Sequence, residues 1–182
     1  GQPVPYDAGR FGGRVFSYVA SFGAFTRTSY TTPQSIKNAL GHTAYVLEGI
    51  QELTQIRNEH IKMIVDGEVV EDDFLFGAIC NSTSVGGVLT LDPDVVDLQD
   101  NKLEILLVRA PRNLAELHEC ILALQDQTYN CAMLTFRSAT HIRIFADPEM
   151  PWTLDGEREE GHSEVEVVPE HLAYRLMKRV QP

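Results

Sequence analysis

The stretch Met150-Pro151-Trp152-Thr153-Leu154-Asp155-Gly156-Glu157-Arg158-Glu159-Glu160 lies between two β-prone segments, residues 138–145 and 163–168. Its Asp-Gly pair is a tight-reversal signal, because Gly156 enters positive φ without steric cost. The turn presents Glu157 at a strand end. A carboxylate fixed there can accept a proton from a hydroxyl, the task of a general base in phosphoryl transfer, and the plainer reading is a solvated hairpin glutamate. Working outward, Asp66-Gly67-Glu68 repeats the triplet after the alternating run Ile61, Met63, Val65. Since a hairpin alone generates the triplet twice, it is weak evidence for catalysis by itself.

Most of the other segments also read as strands. Residues 4–23 give extended runs around a Gly12-Gly13 turn, with residues 15–22 expected as one inner strand stopped by Gly23. Residues 74–80 and 103–108 are continuous apolar runs, as in strands buried on both faces. Residues 133–136, 138–145 and 172–177 are expected to be extended, and Glu164 to Val168 alternates. Helical signals fall in two places. Thr32-Pro33 opens one or two helices between residues 33 and 55, and Pro111-Arg112-Asn113 caps a helix running to about Leu124. The expected architecture is mainly β with α insertions, an antiparallel sandwich with helices at one side, in a single domain spanning residues 1–182. There is no βαβ rhythm and hence no doubly wound nucleotide domain.

Composition narrows the partners. A net charge of −11, with scattered basic residues, lacks the footprint of a nucleic-acid binder and opposes long-range attraction to an anionic bilayer. No apolar run has membrane-spanning length and no signal-peptide pattern opens the chain, so a cytoplasmic protein is expected, with Cys80, Cys120 and Cys131 as buried thiols. The opening Gly1-Gln2-Pro3 lacks an initiator methionine, which suggests a piece of something longer. Phosphate-loop, dinucleotide, zinc and serine-nucleophile patterns are absent, and the six histidines are dispersed.

Two loops remain as candidate binding elements. Asn81-Ser82-Thr83-Ser84-Val85-Gly86-Gly87 closes a buried strand with paired glycines, so backbone there can approach a ligand; Asn81, Gly86 and Gly87 are the candidate substrate contacts. The acidic loop from Leu91 to Lys102 carries oxygen donors of the type Mg²⁺ or Ca²⁺ prefers, without EF-hand spacing.

Residues 12–16 (Gly-Gly-Arg-Val-Phe), 20–23 (Ala-Ser-Phe-Gly), 40–45 (Leu-Gly-His-Thr-Ala-Tyr), Ile79-Cys80-Asn81 with Gly86-Gly87, residues 97–104 and Leu154-Asp155-Gly156-Glu157 together resemble the carboxyl-terminal domain of the soluble diacylglycerol kinase family, bacterial lipid kinases related to sphingosine and ceramide kinases. The resemblance implies a β-rich lobe of the diacylglycerol kinase and NAD kinase type. It would pack against the protein's own amino-terminal nucleotide-binding lobe, with ATP in the cleft. That lobe's Gly-Gly-Asp-Gly-Thr motif is not in this chain. The resemblance places the general base on Glu157, and a Mg²⁺ on the Asp100 carboxylate with the Asp97 and Lys102 carbonyls. Where the family commonly has Asp-Asp-Gly-Leu-Leu-Asp, this chain has Gln99-Asp100-Asn101-Lys102-Leu103-Glu104. Gln99 removes one acid from the metal loop, while Asn101 tolerates left-handed geometry in place of Gly.

The function expected is transfer of the ATP γ-phosphate to a diacylglycerol-like hydroxyl at a membrane surface, with the isolated lobe inactive and an exposed strand edge open to homodimerisation. A non-catalytic lipid- or protein-interaction domain and a lobe of a sugar or NAD kinase are the alternatives.

Overall fold

The computed structural model describes residues 1–23, 57–85, 89–129 and 131–178. The helices expected between residues 33 and 55, and Gly86 and Gly87, lie outside these. The described elements are strands β1 (Gln2–Phe11), β2 (Arg14–Phe16), β3 (Val19–Gly23), β4 (Glu59–Val65), β5 (Glu68–Cys80), β6 (Ser84–Val85), β7 (Leu89–Thr90), β8 (Leu103–Arg109), helix α1 (Leu114–Gln125), and strands β9 (Leu134–Ala139), β10 (Ile142–Phe145), β11 (Trp152–Leu154), β12 (Glu157–Glu159) and β13 (Glu164–Lys178).

Eleven of these strands form one antiparallel sheet with the path β12-β11-β3-β5-β4-β10-β13-β1-β2, and β8 and β9 branch from β5. The long strand β5 makes the architecture. Its first half pairs with β4, from Glu68↔Val65 to Phe74↔Glu59, and its second half pairs with β3 and β8, ending at Cys80↔Val19 and Cys80↔Glu104. A register shift against β8 between Phe74 and Phe76 marks the change. The sheet curls about β5 into two layers whose inner faces share one core: Ile61, Met63, Ile142, Val167 and Phe11 on one side meet Ile79, Ile105, Phe22 and Trp152 on the other. Gly77 belongs to this fit, since a Cβ there would sit 2.1 Å from the Phe22 ring.

A second core lies on the opposite face of β5 and β8. Phe76, Ala78, Cys80, Leu106 and Val108 pack there with Cys120 and Ala123 of α1 and with Leu91 and Val96 of the acidic loop. Alternate residues of the same two strands thus serve two cores, which is why both read as unbroken apolar runs. Helix α1 has Asn113 at its N-cap, whose side chain accepts the Glu116 N–H at 3.0 Å, and Cys80, Cys120 and Cys131 are buried free thiols.

Three strand expectations change. Residues 15–22 are not one strand: β2 and β3 are separated at Ser17-Tyr18. Residues 138–145 are likewise divided at Thr140-His141 between β9 and β10. At both breaks the chain passes from one layer of the sandwich to the other, and an aspartate from a neighbouring turn takes its backbone N–H groups. The closing run is longer than residues 172–177, because β13 continues through Pro169, opposite Gly9. It absorbs a bulge in which Leu172 takes φ 50°.

Candidate functional site

At the β11–β12 turn both central residues have positive φ, 50° for Asp155 and 88° for Gly156, the geometry a two-residue hairpin needs. The Asp155 carboxylate closes the β2–β3 corner. One oxygen accepts the Ser17 N–H at 2.7 Å and its hydroxyl at 3.0 Å, while the other accepts the Tyr18 and Val19 N–H groups at 2.9 Å each. The Asp155 N–H donates to the Val19 carbonyl at 2.8 Å. An ionised acceptor of several backbone donors is a strong local tie, so the position of the turn is fixed even though it is exposed. Glu157 follows at the first position of β12, its side chain 79% exposed and its Oε2 3.2 Å from Arg14 Nη2.

The first copy of the triplet is built the same way. Asp66 and Gly67 have φ 48° and 91°, and Asp66 accepts the Thr140 hydroxyl and the Thr140 and His141 N–H groups at 2.9–3.2 Å. Burial works to raise the Asp66 carboxyl, but these hydrogen bonds outweigh it and hold the group below its ordinary range. Glu68 pairs with Arg137 as Glu157 does with Arg14. Turn chemistry therefore does not separate the two glutamates; their places in the sheet do.

The Glu157 turn lies beside the end of β5. Leu154 pairs with Ala20, the preceding residue Val19 pairs with Cys80, and the Asn81 N–H donates to the Tyr18 carbonyl at 3.2 Å. The turn and Asn81 thus meet on either side of residues 17–18. Asn81 itself is buried, its Nδ2 donating to the carbonyls of Asp7 at 2.5 Å and Leu98 at 3.3 Å. Its Oδ1 is buried with no hydrogen-bond partner among the described residues.

Asp7 escapes sequence reading. It is fully buried at the β1 bulge, where Oδ1 accepts the Leu172 N–H at 2.7 Å and meets His171 Nδ1 at 2.9 Å, while Oδ2 accepts the Asn101 N–H at 2.6 Å. Asn101 has φ 61°. Asp7 thereby ties the acidic loop to the bulge of β13. The one available signal was an acid inside the extended run of residues 4–11.

The candidate metal residues sit on this loop, beside an open groove of about 660 Å³ lined by Val4, Tyr6, residues 93–100 and Lys178. Asp97 accepts the Gln99 N–H at 3.0 Å, and Asp100 accepts the Lys102 N–H at 3.0 Å with its other oxygen 3.6 Å from the Lys102 ammonium. Gln99, in the place of an acid, donates to the Pro5 carbonyl at 2.7 Å. One carboxylate and two carbonyls are hard oxygen donors that fit Mg²⁺ in type, provided the Lys102 ammonium turns away from Asp100. Among the described residues no three His, Cys, Asp or Glu side chains form a metal-holding group.

Comparison with known proteins adds the family. The model of the YegS C-terminal NAD kinase β-sandwich-like domain matches residues 19–175. The chain belongs to that family. Curated relatives of this YegS-type domain include a diacylglycerol kinase of Bacillus subtilis (strain 168), 28% identical over 86% of this chain and 52% of the relative, and one of Staphylococcus carnosus (strain TM300), 30% identical over 86% and 51%. The chain spans about half the length of these relatives. A crystal structure of a diacylglycerol kinase from Bacillus anthracis str. Sterne superimposes with a TM-score of 0.60 at 17% identity, covering 96% of this chain and 53% of that one, and shows the same fold. Among the described residues no helix is long and apolar enough to cross a membrane.

Proposed function

We propose that this YegS-type lobe is the substrate-side half of an ATP-dependent lipid kinase and that Glu157 is its general base. Supporting the reading, relatives that share the domain are named diacylglycerol kinase, and Glu157 is the residue a rigid, Asp155-anchored turn holds out at the end of the sheet where Asn81 also lies. In the reaction, the Glu157 carboxylate takes the proton of the lipid hydroxyl as that oxygen bonds to the γ-phosphorus. The bond from phosphorus to the β–γ bridging oxygen breaks, and ADP leaves with the electron pair. ATP and its Mg²⁺ would be held chiefly by the amino-terminal lobe, so this lobe alone should not turn over. Asn81 with Gly86 and Gly87 would approach the substrate. A second Mg²⁺ would sit on Asp100 with the Asp97 and Lys102 carbonyls, supplying charge that orders the loop. The lobe would work in the cytoplasm, peripherally at a lipid surface, with its own nucleotide lobe as first partner and a second copy as a further one.

The test is the full-length protein, wild type against Glu157→Gln, assayed with ATP and diacylglycerol in mixed micelles. Loss of the base is expected to lower kcat by about 10²–10⁴-fold. Near-normal turnover of the variant would remove Glu157 from the role. Transfer to a soluble hydroxyl compound but to no lipid would reassign the substrate class, and lipid binding without any transfer would favour an interaction domain.

A further inference from the structure

Strands β2 and β12 are the two ends of the curled sheet's main path, and among the described residues each has a ladder partner on one side only, β1 and β11. The seam between them is crossed by one side chain in particular. Arg14, delivered to the start of β2 by the Gly12-Gly13 turn, forks across to β12: Nη1 donates to Glu159 Oε2 at 2.5 Å and Nη2 to Glu157 Oε2 at 3.2 Å. Glu157 and Glu159 are two apart on a strand and so project from the same face, which the planar fork can span.

The two carboxylates are not alike. The Glu159 side chain is 14% exposed and approaches His162 Nε2 at 3.6 Å, and the His162 ring packs on Phe11 of the core. Glu157 is 79% exposed. The chain of contacts runs from a packed ring through a largely covered acid and a guanidinium to a side chain that is mostly exposed. A free glutamate samples several rotamers, and fixing one costs conformational entropy. Exposed ion pairs contribute little to stability, so the effect of such a fork falls on orientation.

We infer that Arg14 is a positioning residue that holds the Glu157 carboxylate toward the reacting hydroxyl, anchored in turn by Glu159. This rests on the reading of Glu157 as the base, and the sequence of measurements keeps the two separable. The matched control is Arg137, which pairs with Glu68 at the other Asp-Gly turn and has no part in the reaction.

In the full-length protein, Arg14→Ala is expected to lower kcat about 10- to 100-fold with KM for ATP and lipid within about two-fold. Arg14→Lys should recover only part of this, since a point charge serves one carboxylate at a time. Arg137→Ala should turn over like wild type, Arg14→Ala should leave the thermal unfolding midpoint unchanged, and Arg14→Ala added to Glu157→Gln should cause no further loss. If Glu157→Gln is crippled but Arg14→Ala turns over like wild type, the positioning role fails while the base stands. If Glu157→Gln is near normal, the base reading fails and the positioning role with it. An Arg14→Ala variant that is slow because its midpoint has dropped, or that slows Glu157→Gln by the same factor again, would also overturn the inference.

Discussion

Replacing Asp7 with alanine is expected to lower stability by about 3–5 kcal/mol, seen as a reduced urea midpoint with an unchanged m-value. The side chain is wholly buried and links three chain segments through the Leu172 N–H, the Asn101 N–H and His171. Alanine leaves two partly buried N–H donors without an acceptor, each costing about 1–3 kcal/mol, together with a small cavity. Leu172 and Asn101 both hold positive φ, conformations that persist in non-glycine residues only while the surroundings insist on them. Losing their shared acceptor should therefore loosen the acidic loop and the bulge of β13 together. A midpoint shift below about 1 kcal/mol would mean that the bulge satisfies its donors by other means.

Glu104→Gln should act in the opposite direction at neutral pH. Glu104 is fully buried between Cys80 and Ser138 in the β5–β8–β9 ladder. Its Oε1 receives a long 3.4 Å bond from the Ser138 hydroxyl, and Oε2 has no partner among the described residues. Burial, assisted by the nearby Asp100 charge, pushes this carboxyl from 4.5 up to about 7. The unfolded chain releases the proton near pH 4.5 and the folded one only near 7, so between these values the folded state binds more protons. Stability must fall as pH rises through that window and stay reduced above it, by about 3 kcal/mol at most. Glutamine cannot ionise. With EDTA present, the variant should match wild type near pH 4 and exceed it at pH 8 by up to about 3 kcal/mol, less whatever its amide loses by lacking a partner. A wild type whose midpoint is flat from pH 4.5 to 8 would show that the carboxylate finds a donor when charged.

Much of the layout was legible because local signals and burial agree. The Asp-Gly turns, the two-faced apolar runs and the helix cap at residues 111–113 each have a local physical cause, so the two turns, the second half of β5, β8 and α1 fall where the sequence puts them, while β5 itself starts earlier, at Glu68. The misread places share a different origin. Residues 15–22 and 138–145 are β-prone throughout, and nothing local interrupts them. They are divided because Asp155 and Asp66, distant in sequence by more than seventy residues, capture the N–H groups at the points where the chain changes layers. In β13, Pro169 suggests an ending, yet the bulge held by Asp7 carries the strand onward. The candidate site divides in the same manner. The turn that carries Glu157 could be read locally, but only the family resemblance singled Glu157 out from Glu68, and the meeting of that turn with Asn81, and the fork of Arg14 across the seam, depend on how the sheet curls.

The double service of β5 and β8 bears on how the lobe comes apart. Since alternate side chains of these strands are shared by two apolar compartments, neither compartment can melt while the other stays intact. Amide protons along residues 74–80 and 103–108 should exchange with solvent only when the whole lobe opens, at a common slow rate. A YegS-type lobe with such a spine would confine its breathing to the rims, where the turns and the seam lie, and keep its centre as a single cooperative block.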